Sequence, residues 1–158
     1  MRSGRIDRFR LVLRLALAAI YLAAGGLHLA AADKFLVIMP PIVPFPRAVV
    51  LFTGACEVAG AIGLLVPSTR RCAGVMLAIY AICVWPANIY QALWHVRAPP
   101  LPDSWWYHGP RLAFQPVLIW WALFVGEVMD WPFLRNHDGQ RDDGGRREMP
   151  PRDDGVTR

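Results

Sequence analysis

Ala48–Val66, AVVLFTGACEVAGAIGLLV, is a predominantly apolar stretch with Glu57 at its centre, and Cys56 is the only other ionisable group in it. A helix needs about 20 such residues to cross about 30 Å of hydrocarbon. Leu11–Ala32, Cys72–Leu93 and Leu112–Met129 approach the same length. The expected fold is therefore all-α, a four-helix transmembrane bundle with antiparallel neighbouring helices. It occupies residues 1–134 and is followed by a disordered, charged cytoplasmic tail at 135–158.

A water-soluble bundle would keep a polar face along each helix. Here 55% of residues are hydrophobic and 18% charged, and the charges gather at the ends and connections, so lipid is the expected surroundings. The net charge of +5 raises the question of nucleic acid, but its distribution answers it. Arg2, Arg5, Arg8, Arg10 and Arg14 precede or open the first stretch, Arg70 and Arg71 lie in the second connection, and six arginines lie in the tail. The other connections hold only Lys34, Arg47, Arg97 and Arg111. Basic residues near span ends favour the cytoplasmic side. Both termini and the 67–71 turn are expected there, in a bacterial plasma membrane, with lipid and no nucleic acid as partner.

A cleaved signal peptide competes for the first thirty residues, but the apolar run is long and continues through Gly25, Gly26 and His28. It is read as the first span, its small residues admitting a close neighbour. Pro40, Pro41, Pro44 and Pro46 interrupt the next connection, whose apolar residues suit a segment lying over the bundle after a short helical turn. In the second span Gly54, Glu57 and Ala61 share a face, so Glu57 looks toward protein. Pro67 and a four-residue turn make the second and third spans antiparallel neighbours.

Pro86 removes the amide that would bond Ile82, which predicts a kink or widened turn in the third span. The aromatic connection Trp94–Arg111 suits an interfacial anchor. The fourth span is expected to begin near Arg111 or Leu112, with Pro116 harmless in its opening turn.

Aligning span midpoints at 1.5 Å per residue puts His28, Asn88 and Gln115 at similar depth, Glu57 nearer the middle and Gln91 nearer the outer boundary. Lipid satisfies none of these groups, so they are expected to face one another in a polar pocket in the outer half of the bundle. A carboxyl and an imidazole exchange protons, and amides orient a carbonyl, hydroxyl or water. Three uses stay open: a hydrogen-bonded network in a structural or partner-binding membrane module, a quinone site in a subunit of an oxidoreductase, and a proton or small-solute pathway. The chain is read as no enzyme on its own, with a homo-oligomer or a membrane-associated redox partner as the protein partners considered.

Other signals are weaker. His28, His95, His108 and His137 are too scattered for a metal set, and Cys56, Cys72 and Cys83 lack metal or disulfide spacing. Nothing resembles a flavin, haem or iron–sulfur site, which leaves quinone as the cofactor considered. The pair Trp120-Trp121 is read as packing rather than a cofactor stack.

Gly25-Gly26-Leu27-His28, Pro40 and Pro44, Gly54–Gly60, Trp85–Tyr90 and Arg111–Pro116 occur in an order that resembles the DoxX-like family of small integral membrane proteins over roughly residues 15–130. The resemblance implies a four-helix membrane domain in which His28, Glu57, Asn88 and Gln115 match recurrent polar positions. Some DoxX-like proteins are associated with quinone-linked sulfur oxidation or oxidative-stress complexes, which implies a quinone or redox partner. Here Ala113 replaces the proline of the more familiar Arg-x-Pro-x-Gln form, while the Arg–Gln spacing is kept.

Overall fold

The computed structural model describes residues 2–98 and 102–132, so the expected tail lies outside the described residues. The fold is all-α. Helix α1 spans Arg2–Ala30, α2 Ala32–Phe35, α3 Pro46–Leu65, α4 Arg70–Leu93, α5 Trp105–Ala113 and α6 Gln115–Val125, with a 3-10 turn at Leu36–Ile38 after α2. Helix α1 packs on α3, α3 on α4, α4 on α6, and α6 closes the ring against α1.

Three helices are long and apolar enough to cross a membrane: Arg5–Ala30 within α1, then α3 and α4. Their outer surfaces match that solvent. Phe52 is 70% exposed, Ile79 55% and Ile62 51%, whereas the inner faces bury Leu17, Leu64, Leu77 and Phe124 completely. Large side chains turned outward along whole helices are at home in hydrocarbon and not in water.

The fourth expected span needs correction, because Leu112–Met129 is not one helix. Two short helices, α5 and α6, meet at Phe114, and α5 begins at Trp105, inside what reads as a connection. Pro116 has no amide to offer the Leu112 carbonyl, and the Phe114 N–H turns back to the carbonyls of Pro110 and Leu112. Helix α6 alone, at 11 residues, is only about 16 Å long. Pro86 behaves differently, since α4 continues through it to Leu93.

Close approach depends on glycine at two crossings. A Cβ on Gly25 would stand 2.7 Å from the Gly54 carbonyl oxygen, and one on Gly54 would stand 2.8 Å from the His28 Cβ. At the other crossing, a Cβ on Gly74 would lie 2.8 Å from both the Ala122 oxygen and the Gly126 Cα. Gly26 faces open space, so only one residue of the Gly25-Gly26 pair makes the crossing.

Two helices end in matching fashion. After α6, the Glu127 and Val128 amides donate to the carbonyls of Phe124 and Leu123 at 3.2 and 3.0 Å, with Glu127 left-handed at φ 59°. After α4, the Val96 amide donates to the Gln91 carbonyl at 3.2 Å, with His95 at φ 50°. This closure usually takes glycine at the left-handed position. Here it carries ionisable side chains instead, Glu127 in ion pairs with two arginines and His95 in contact with Asp103.

Candidate functional site

Glu57 points inward from the middle of α3 and is 4% exposed. The glycine crossing brings α1 against it. His28 Nδ1 pairs with Glu57 Oε2 at 2.5 Å, and the Tyr80 hydroxyl of α4 donates to Oε1 at 2.7 Å. Both carboxylate oxygens are thus engaged, by two different helices. The Tyr21 ring meets Tyr80 edge-on at 6.1 Å, extending the network along α1. His28 lies 4.2 Å from the Phe35 ring of α2, so the connection after α1 leans over this cluster. The His28 side chain keeps 20% exposure against 5% for Glu57, which makes the imidazole the more accessible member of the pair.

A second cluster sits toward the end where α4 meets α5. Arg111 donates through Nη1 to Gln91 Oε1 at 2.5 Å and through Nη2 to Asn88 Oδ1 at 2.6 Å, and it lies over the Tyr107 ring. Asn88 and Gln91 are three apart on α4, which places both amides on one helix face. Two neutral oxygens therefore hold the guanidinium. Gln115 makes a third, separate tie from the first position of α6, donating to the Ala81 carbonyl at 2.6 Å.

The five residues expected in one pocket are divided accordingly. His28 and Glu57 touch directly, Asn88 and Gln91 meet through Arg111, and Gln115 engages the α4 backbone. Tyr80 and Arg111 are the participants that sequence reasoning missed. Tyr80 carries no signal separating it from a packing aromatic, and Arg111 reads as a helix-start residue. Trp121 also proves to be a tie, its Nε1 donating to the Leu13 carbonyl at 3.1 Å.

Near the α4–α5 connection, Asp103 gathers basic groups: His95 Nδ1 at 3.1 Å, His108 Nε2 at 3.5 Å and Arg97 Nε at 4.0 Å. Among the described residues no group of three His, Cys, Asp or Glu side chains is arranged to hold a metal ion. The three cysteines are free thiols.

The opposite end, here called the arginine end, is tied by charge. Arg10 pairs with Asp130 at 2.6 Å, while Arg14 and Arg70 converge on Glu127 Oε1 at 2.8 and 2.9 Å. Arg14 Nε also donates to the Val125 carbonyl at 3.0 Å, and the Arg10 guanidinium stacks 4.5 Å over Phe124. Arg10 and Arg14 are buried, although their sequence positions suggest only a basic flank. Burial alone would raise the affinity of Glu127 for a proton, but Arg70 and then Arg14, by charge and hydrogen bond, hold its carboxyl below the ordinary range.

No curated protein and no solved structure matches the chain. The comparisons do not tie it to the DoxX-like proteins it resembles. A family described as Domain of unknown function (DUF8561) matches residues 17–126, which takes in α1 from Leu17, the whole of α3 to α6, and every residue of the Glu57 and Arg111 clusters. The chain belongs to that family.

Proposed function

We propose that this protein is a small integral membrane module, structural or partner-binding, whose buried polar residues join its helices. The observation that carries the reading is Glu57, whose two oxygens take partners from α1 and α4 while its own backbone belongs to α3. Arg111 and Gln115 add ties from α5 and α6 to α4. In hydrocarbon such groups have no solvent to fall back on, so satisfying them fixes helix order and rotation.

The reading includes four crossings, the last made by α5 and α6 together. Arg10 of α1, Arg70 of α4 and the residues just after α6 share one end, which supports a chain that has returned across the bundle. The arginines at that end favour a cytoplasmic position for it in a bacterial plasma membrane. We place the protein as a distant relative of DoxX-like proteins on the order of its motifs.

One observation favours a second reading, a proton-exchanging site serving a quinone or a redox partner. The accessible His28 imidazole contacts a carboxyl buried at the bundle centre, a route by which a proton passes from surface to interior. Comparing Glu57→Gln and Glu57→Leu separates the two. Under the structural reading both variants assemble less stably, Leu more so because it leaves His28 and Tyr80 unpaired. A Glu57→Gln protein that assembles like the parent but loses a proton-coupled response to added quinol would favour the second reading. Parental stability and parental binding in both variants would remove Glu57 from either.

A further inference from the structure

An open groove of about 720 Å³ runs between the outer face of α4 and the turn after α6. Its walls include Arg71, Val75, Met76 and Ile79 on one side, with Glu127 and Asp130 on the other. The size falls within the range of small-ligand sites, about 300–1,000 Å³. Its chemistry changes along its length. Arg71, Val75 and Ile79 are four residues apart and form a single stripe on α4, rising about 12 Å from the charged end to the apolar end.

The charges at the mouth are unevenly committed. Glu127 is taken by Arg14 and Arg70, and Asp130 by Arg10. Arg71 is exposed and forms no ion pair among the described residues. The ion pairs at the mouth thus leave Arg71 out, and Arg71 faces the groove. Val75 and Ile79, 40% and 55% exposed on a helix long enough to span, supply an apolar wall leading away from it.

We propose that this groove seats one anionic phospholipid, its phosphate on Arg71 and one acyl chain along Val75 and Ile79. Head charge and tail surface are matched in the order a lipid presents them. Basic pockets between membrane helices on the cytoplasmic side recognise anionic headgroups in this way. A soluble phosphate would use Arg71 but leave the apolar stripe unused. The proposal rests on reading α4 as a span.

The test uses the full chain in mild detergent, titrated with phosphatidylglycerol or phosphatidylcholine and read by native mass spectrometry. One phosphatidylglycerol should be retained in preference to phosphatidylcholine. Arg71→Gln should weaken that binding about fivefold, the effect of removing one interfacial cation. Arg97→Gln, at the opposite end and outside the groove, should not. Ile79→Trp, which obstructs the apolar wall with all charges intact, should weaken it too. Equal retention of the two lipids, or equal losses from Arg71→Gln and Arg97→Gln, would overturn the proposal. An alkaline carbonate wash of membranes keeps the two questions apart. Release of the protein refutes α4 as a span, whereas retention without lipid preference refutes the groove alone.

Discussion

Adding one methyl group at Gly25 should push α1 and α3 apart, and adding it at Gly26 should not. At Gly25 the new Cβ would lie 2.7 Å from the Gly54 carbonyl oxygen, 2.9 Å from Val58 Cγ2 and 3.0 Å from the Glu57 Cβ. The nearest of these is backbone, which cannot rotate away. At Gly26 the methyl group meets nothing within 4 Å. Both substitutions gain about 1 kcal/mol of helix propensity, so that contribution cancels between them. The difference isolates the steric cost, about 1–3 kcal/mol for overpacking a close contact. Reversible unfolding in mixed micelles, titrated with sodium dodecyl sulfate and followed by helical circular dichroism, measures both variants. Gly26→Ala is expected at or slightly above parental stability, and Gly25→Ala below Gly26→Ala by that margin. Equal stabilities would refute the argument that this glycine sets the distance at which His28 reaches Glu57.

Tyr80→Phe removes the one donor to Glu57 Oε1 among the described residues while keeping the ring, and should cost about 1–3 kcal/mol in the same assay. In a Glu57→Leu background the same change should cost far less; an undiminished cost there would show that the hydroxyl acts elsewhere. Glu127 supplies a pH dependence. Because the folded state holds its carboxyl below the ordinary value of 4.5, the unfolded chain binds the proton more readily, so stability is complete above about 4.5 and is lost as pH falls through the lower folded value. Glu127→Gln should flatten that acid limb, and an unchanged profile would mean that the arginine pairing contributes nothing. Single cysteines at positions 68 and 104, introduced after replacing Cys56, Cys72 and Cys83, test topology with an impermeant thiol reagent in intact cells. Ser104→Cys is expected to react and Ser68→Cys to stay protected; the reverse pattern would invert the bundle.

Apolar length made the first three spans readable, since nothing else in a short chain explains Ala48–Val66. The same rule failed on the fourth because it counts hydrophobic residues and ignores amides. Leu112–Met129 is apolar enough, yet Pro116 withholds a bond at the point where Phe114 turns back. Glycine spacing correctly turned Glu57 toward protein, and the helical period placed Asn88 and Gln91 on one face. Helix rotation was not legible, and rotation decides who touches whom. Depth alone made His28, Asn88 and Gln115 look like one shell, but they face different neighbours. Arg14 and Glu127 are 113 positions apart, and no local pattern announces that a buried cation will meet a carboxylate perched on a left-handed residue.

The two ends of the bundle are fastened by different means, and this gives the molecule a mechanical polarity. At the arginine end, three ion pairs and the Gly74–Gly126 contact bind α1, α4 and α6 like the spine of a book. At the other end, α5 is held to α4 by one guanidinium on two uncharged amides, Asp103 lies between His95 and His108, α2 rests on His28 through a ring contact, and the Asp33–Arg47 pair is exposed. Exposed pairs contribute less than buried ones, so the second end is the more loosely fastened of the two. The Glu57 cluster lies between them, nearer to the loose pages than to the binding.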